Sequence, residues 1–370
     1  MDRRLLRTMT IFAATALVIV ALVLAGISGV ACAPSPPIGS ATTTSAGVDA
    51  NATSTISTTS TTSATSTTTS TSITSASTTT SSTESVVTTT EPAPREPLAF
   101  SATRAMGHIE RLAQDIGIRP GGSAAEDQAV AYVSDYLDGL GYQPVVTEVP
   151  LPNGKTSHNV IAVKKGTSPL TILVSGHLDT KKTTPGGNDN ASGTAAVLEL
   201  ARDVADADIT PTIVFALFGT EEIIDADKTH HHYGSRSYVA NMTAGEREDL
   251  VAMISLDMIA YGTTFNVRTM GKGPAALRDM LLSYSHAKGA GLIYLKDTGP
   301  TGWSDHAPFE LAGYPAVWLQ WLPDPTYHQA GDTYQHCDER VLRQTGRFLL
   351  GFLTNLTGQD LDDLQAAVGN

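Results

Sequence analysis

Five residues in the 370-residue chain have side chains that bind metals and stand where a metal site can form: His177, Asp189, Glu222, Asp257 and His328. Four of them follow apolar runs. Residues 170–175 lead into Gly176-His177-Leu178-Asp179, and residues 212–218 into Gly219-Thr220-Glu221-Glu222. Residues 251–256 run directly into Asp257, and residues 315–321 are followed by Tyr327-His328. The fifth, Asp189, sits in the loop Gly186-Gly187-Asn188-Asp189-Asn190-Ala191-Ser192-Gly193, just ahead of a helical pattern. Carboxylates crowded together repel one another and raise each other's pKa, and a divalent cation removes that repulsion. Two imidazoles and three carboxylates suit zinc, which takes nitrogen and oxygen ligands at about 2.0–2.2 Å. Five ligands exceed the need of one tetrahedral ion that also holds a water. They fit two zinc ions sharing a bridging carboxylate.

Taken singly, these residues have plainer readings. A lone buried His is more often hydrogen-bonded core than ligand, and an Asp ahead of a helix usually caps it. A Glu-Glu pair usually lies on a solvated face. Four apolar runs each followed by His, Asp or Glu outweigh those readings together. The pair His177-Leu178-Asp179 adds a mechanism of its own, because Asp179 can accept the second ring proton of His177 and fix its tautomer.

The elements that must position these residues alternate between helix and strand patterns. Helices are expected over 101–114, 123–140, 191–204, 274–287 and 339–356. Ser123 and Glu126 have the spacing of a capping box at the second of these. Strands are expected over 145–149, 159–163, 170–175, 212–218, 251–256 and 315–321. The short uninterrupted apolar runs are the mark of strands buried on both faces. Alternation of this kind implies an α/β three-layer sandwich: a mostly parallel mixed sheet with helices on both faces. Such sheets carry their sites in the loops after the strand carboxyl ends.

The ordered set His177-Leu178-Asp179, Gly187 to Gly193, Glu221-Glu222, Asp257-Met258 and Tyr327-His328 resembles the motif series of metallopeptidase family 28, the co-catalytic zinc aminopeptidases. The resemblance spans residues 105–355 and implies a zinc-exopeptidase fold. It implies that Asp189 bridges two metals, with His177 and Asp257 completing one site and Glu222 and His328 the other. It further implies Glu221 as general base, Tyr327 as an aid to the oxyanion, two Zn²⁺ per chain, and peptide substrates with a free N-terminus. Ser304-Asp305-His306 also resembles a family segment near the pocket, without a definite role. The same fold serves glutaminyl cyclases, carboxypeptidases and non-catalytic surface binding domains. The complete ligand set and Glu221 favour hydrolysis over the first and last of these.

One stretch departs from the family pattern. Gly234-Ser235 comes late, after an insertion over residues 223–233 that contains His230-His231-His232. The insertion reads as a surface loop, against an extra metal contact or a pocket lip. Trp303, Phe309 and Trp318 could line an apolar pocket, although aromatic residues more often fill core.

Composition bounds the rest. A net charge of −13 with no Lys/Arg cluster excludes nucleic acid as a partner. The cysteines are Cys32 and Cys337, so the folded region has no internal disulfide. Residues 1–33 read as a signal peptide or a membrane or lipid anchor: Arg3, Arg4 and Arg7 precede an uncharged apolar run over 11–31. Cleavage near residues 31–33, an uncleaved anchor and lipidation of Cys32 all put the following chain outside the cytoplasmic membrane, extracellular or tethered to the surface. Residues 34–97 include a Ser/Thr tract that cannot offset its backbone entropy by burial, and are expected to form a disordered spacer. The peptidase domain is expected over 98–358, with a C-terminal tail at 359–370. The sequence sets no oligomeric state.

Overall fold

The computed structural model describes residues 98–369. The expected signal or anchor at 1–33 and the spacer at 34–97 lie outside the described residues, apart from the boundary itself. Among the described residues no helix is long and apolar enough to cross a membrane.

Eight strands form one sheet in the order β1-β2-β4-β3-β5-β8-β6-β7. They are β1 (Val145–Pro150), β2 (Thr156–Lys164), β3 (Thr171–His177), β4 (Thr212–Phe218), β5 (Leu250–Leu256), β6 (Thr264–Thr269), β7 (Ile293–Lys296) and β8 (Ala316–Leu322). The central strands β4, β3, β5 and β8 run parallel, as do β6 and β7, while β1, β2 and the β6–β8 pairing are antiparallel. The expected α/β sandwich with a mostly parallel mixed sheet is therefore present. Every position of β3, β4 and β5 is buried, which is why their sequences are continuous apolar runs.

Side chains alternate across the sheet into two cores. Ile172, Val174, Ile213, Phe215 and Leu217 face the larger one. It is covered by α1 (Ala102–Ile109), α2 (Ala124–Gly139), α3 (Gly193–Val204), α6 (Ala276–Lys288) and α8 (Glu339–Asn355). Leu173, Val214, Ala216 and Phe218 face the smaller one, against Tyr238 of α4 (Tyr233–Asn241) and Phe309 of α7 (His306–Leu311). A short α5 (Ala244–Asp249) leads into β5.

Some details differ from expectation. The first helix does not continue as a regular helix after Ile109 but widens into a π-type turn over Glu110–Ile116. Ser123 caps α2 by accepting from the Glu126 backbone N–H, but the Glu126 carboxylate does not complete a capping box. It turns away to Gly122 N, Ser157 Oγ and Thr220 N, and so ties three segments together. Pro274 lies ahead of α6, not in its first turn. Residues expected as a tail instead form α9 (Gly358–Ala367), capped by Thr357 and Asp360, with Leu361 and Leu364 fully buried in the larger core.

Candidate metal centre

The parallel register brings the expected residues to one sheet edge. His177 ends β3 opposite Phe218, the last residue of β4, and Leu256 of β5 pairs with Leu319 of β8. Glu221-Glu222, Asp257 and His328 follow those strands directly or in their loops. Asp189 arrives from the loop before α3, where its peptide bond to Asn190 is cis. Gly193 lets that loop dock: a Cβ there would stand 2.0 Å from the Leu256 carbonyl oxygen.

Two overlapping groups of ligand atoms result, His177-Asp189-Asp257 and Asp189-Glu222-His328, each with its atoms within 4.8 Å of one another. His177 Nε2 lies 3.2 Å from Asp189 Oδ1 and 3.7 Å from Asp257 Oδ1. His328 Nε2 lies 3.2 Å from Asp189 Oδ2 and 3.1 Å from Glu222 Oε1. Ligand atoms on a tetrahedron around zinc stand roughly 3.3–3.6 Å apart, and these spacings lie within about 0.2 Å of that range. The donors are also short of partners. His177 Nε2, Glu222 Oε1 and Asp257 Oδ1 are buried with no hydrogen bond, a state that costs stability unless something else satisfies them. The five residues could hold two zinc ions, with Asp189 giving one oxygen to each.

Electrostatics agrees. Burial disfavours the charged form of His177, but Glu221, Asp179, Asp189 and Asp257 outweigh it and hold the imidazole well above its usual range. Burial likewise opposes His328, yet Asp189 and Glu222 raise it to about 9. Burial opposes the Asp189 carboxylate, and His177 and His328 more than compensate, keeping it well below the usual range. Without a metal, the cluster draws protons onto its histidines to supply the missing positive charge.

Glu221 is 6% exposed. Burial drives its carboxyl well above the usual range; His177 opposes this, while Glu222, Asp257 and Asp305 reinforce it. Its Oε2 lies 3.9 Å from His177 Nε2, beside the ligand cluster. A carboxyl raised in this way beside the ligand cluster is suited to accept a proton. Tyr327 stacks on His328 at the rim and is half exposed. Desolvation, then Asp189, Glu222, Glu221 and Asp257, hold its phenol protonated. Asp179 reaches His177 Nδ1 by its carbonyl at 3.2 Å and by its carboxylate at 3.4 Å. The same carboxylate accepts the backbone N–H of Glu221 at 2.8 Å and of Glu222 at 3.1 Å.

The insertion is not a surface loop throughout. His230 is on the outside, paired with Asp225, but His231 and His232 are buried and His232 Nε2 lies 3.0 Å from Glu221 Oε1. Of the aromatic residues, Phe309 and Trp318 are core and Trp303 is exposed. Ser304, Asp305 and His306 are fully buried; Asp305 accepts from Ser235 Oγ at 2.6 Å.

Three supporting residues carry no signal in the sequence. Arg119 is fully buried and donates to the carbonyls of Leu178, Pro185 and Gly186, which flank His177 and the Asp189 loop. Asp332 accepts the N–H groups of Asn188 and Asp189 at 2.6 and 3.0 Å. Lys181 Nζ lies 2.8 Å from Glu222 Oε2, the oxygen not turned to His328. None lies on a periodic face, and each acts on residues distant in sequence.

All four described non-glycine residues with left-handed backbone are at this site: Thr220, His232, Met258 and His328. Each is a candidate ligand, a neighbour of one of the carboxylates, or in contact with Glu221, so local strain is concentrated where side chains must be aimed. A cleft of about 400 Å³ opens beside Glu222, between Lys155, Lys181 and Lys182. A second cleft, about 870 Å³, is lined by residues of β1, β2, α4 and neighbouring loops and by none of the site residues.

An eight-stranded α/β sandwich thus carries this donor set at the carboxyl edge of its parallel strands. Residues 159–353, more than half of the chain, match peptidase family M28, and the chain belongs to that family. It is 32% identical to leupeptin-inactivating enzyme 1 of Streptomyces exfoliatus over 56% of this chain and 46% of that protein. It is 28% identical to the probable lipoprotein aminopeptidase LpqL of Mycobacterium tuberculosis over 55% and 46%. The chain thus spans about half the length of these curated relatives. In fold it is similar to BSAP, a zinc aminopeptidase from Bacillus subtilis, with a TM-score of 0.62 at 19% identity over 70% of this chain and 95% of that one. It is also similar to Tannerella forsythia glutaminyl cyclase, with a TM-score of 0.61 at 21% identity over 70% and 100%.

Proposed function

We propose that the protein is a di-zinc aminopeptidase that removes N-terminal residues from peptides. The observation that carries the reading is the division of the two Asp189 oxygens between two donor groups, with Glu221 beside them. His177, Asp189 and Asp257 would hold one zinc, and Asp189, Glu222 and His328 the other. Such a pair supplies Lewis acidity toward the scissile carbonyl and lowers the pKa of a water. Glu221 takes the proton of the attacking water and returns it to the leaving amine. Tyr327, kept protonated at the rim, offers a hydrogen bond to the oxyanion. The aminopeptidase name borne by the mycobacterial relative supports a substrate with a free N-terminus.

Residues 1–33 would direct export, by cleavage, by an anchor or by lipidation of Cys32, with residues 34–97 as a spacer. The lipoprotein name borne by the mycobacterial relative is in line with that reading.

The purified protein is assayed on aminoacyl p-nitroanilides, their N-acetylated counterparts, and a peptide with N-terminal Gln. Cleavage that a chelator abolishes, zinc restores and acetylation blocks is the expected result. Glu221→Ala should lower kcat at least ~10²-fold while zinc content holds. Cyclisation of the Gln peptide, or cleavage only from the C-terminus, would overturn the reading.

A further inference from the structure

Glu221 can act as a base only if its carboxylate is held with one oxygen toward the ligand cluster. Its Oε2 is so placed, 3.9 Å from His177 Nε2. The group that holds the other oxygen comes from the insertion over residues 223–233. The chain runs out after Glu222 and turns back, with His230 N bonded to Asp227 O and Ile224 N to His230 O. It then pairs onto the segment it left: His232 N donates to Glu221 O at 2.8 Å, Tyr233 N to Thr220 O at 2.8 Å, and Gly234 N to Gly219 O at 3.0 Å. Gly234 allows the approach, since a Cβ there would lie 2.4 Å from the Gly219 carbonyl oxygen. His232 is thereby fixed to the backbone of Glu221 itself, in a left-handed conformation with φ of 55° that a non-glycine residue adopts only under constraint. The ring of His231, itself anchored to Thr301 Oγ1, packs edge-on against it at 3.9 Å. The His232 imidazole is left with Nε2 facing Glu221 Oε1 at 3.0 Å.

We propose that His232 is the positioning residue of the base: its Nε2–H donates to Glu221 Oε1 and leaves Oε2 facing the point where the attacking water sits. This rests on the di-zinc hydrolase reading for the role of Glu221, but not for its placement. Burial drives the basicity of the imidazole down, and His231, His306, His177 and Arg236 add to that. Glu221 Oε1 lies within hydrogen-bonding distance of Nε2, at 3.0 Å, and places an N–H on that nitrogen when Glu221 acts as a base. The insertion thus supplies a side chain to the chemistry without adding a metal ligand.

The test compares the zinc-loaded wild type with His232→Ala and His232→Gln, whose amide nitrogen reaches the place of Nε2. His232→Ala is expected to lower kcat ~10- to 10²-fold, the scale of one hydrogen bond to a charged group. KM should stay within about twofold and zinc content should be unchanged, because an oriented base acts in the transition state and not in binding. His232→Gln should recover most of the loss. A folded, zinc-bound His232→Ala with wild-type kcat, a change confined to KM, or failure of His232→Gln to recover activity would each overturn the proposal. Crystal structures of wild type and His232→Ala judge the placement independently of turnover. If the wild type cleaves nothing, the functional reading falls, while a Glu221 carboxylate that keeps its position in His232→Ala refutes the positioning role by itself.

Discussion

The Asp179 carboxylate does more than orient His177. One oxygen accepts the Glu221 N–H at 2.8 Å and the other the Glu222 N–H at 3.1 Å, in a fully buried setting. Asp179→Asn keeps the shape but can accept only one of those bonds, and its amide group then faces the second N–H donor to donor. A hydrogen bond to a charged group contributes about 1.5–3 kcal/mol, and a buried N–H left unpaired costs about 1–3 kcal/mol. Because part of the loss relaxes, a net destabilisation of about 2–3 kcal/mol is expected. For a domain of this size that lowers Tm by roughly 4–10 °C. Melting should be followed in chelator, since bound metal would add its own stabilisation. On zinc titration the variant should bind ~10- to 100-fold more weakly, the usual scale for losing a partner of a metal ligand. A metal-free Asp179→Asn protein that melts within a degree of wild type and binds zinc equally well would refute the argument.

Zinc binding should release protons near neutral pH, because the metal-free site holds His177 well above its usual range and His328 at about 9. Calorimetry in buffers of different ionisation enthalpy counts them, and no proton release would contradict this charge balance. Lys181→Met should tighten binding of the zinc held by Glu222 by about tenfold, since a cation 2.8 Å from Glu222 Oε2 competes for its charge; unchanged affinity in a zinc titration would count against this. Stability should also respond to His108 of α1, which burial holds at about 4. Its folded pKa lies below the unfolded value of 6.5, so protonation favours the unfolded chain. The associated stability is present above pH 6.5 and is lost as pH falls toward 4, by about 3 kcal/mol. His108→Gln should flatten this part of the pH dependence in denaturant unfolding, and an unaltered profile would refute it.

The sheet and the ligand positions could be read from sequence for one physical reason. β3, β4 and β5 are buried on both faces, so their sequences are uninterrupted and their ends sharp to within a residue or two. A residue just past the carboxyl end of such a strand stands at the site whatever the rest of the chain does. The last two strands at one end of the sheet, β6 and β7, lack that signature. β7 is exposed at all four of its positions and β6 mixes Thr, Asn and Arg with its apolar residues. α9 did leave a signal, Thr357 three residues ahead of Asp360 with Leu361 and Leu364 behind, but it was too short to stand out from a polar tail. His232 was masked by its neighbours. Asp225, Asp227, Lys228 and His230 make the insertion look solvated, and only the backbone pairing of residues 232–234 onto 219–221 turns its last histidine inward.

The site is best understood as two layers of carboxylates. Asp189, Glu222 and Asp257 face the proposed metal positions, and Asp179 and Asp332 sit behind them, each gripping two backbone N–H groups of the loops that carry the inner layer. Glu126 extends the outer layer to Thr220, one residue before Glu221. Outer carboxylates aim the inner ones without competing for the metal, because their lone pairs are already used. The cost is like charge. Asp332 is raised to about 7, by burial first and then by Asp189 and Asp324 despite its amide donors. Two kinds of cation answer that charge. One is permanent: Arg119, buried beneath the loops, feels Asp179, Asp332, Asp189 and Glu126 together and keeps its proton although burial lowers it to about 10. The other must come from outside, as protons on His177 and His328 or as metal, and only metal leaves both imidazoles neutral, each with its nitrogen directed at a cation. The acidity of this region is therefore what the proposed site needs: a divalent cation placed there displaces the protons and neutralises the carboxylates together.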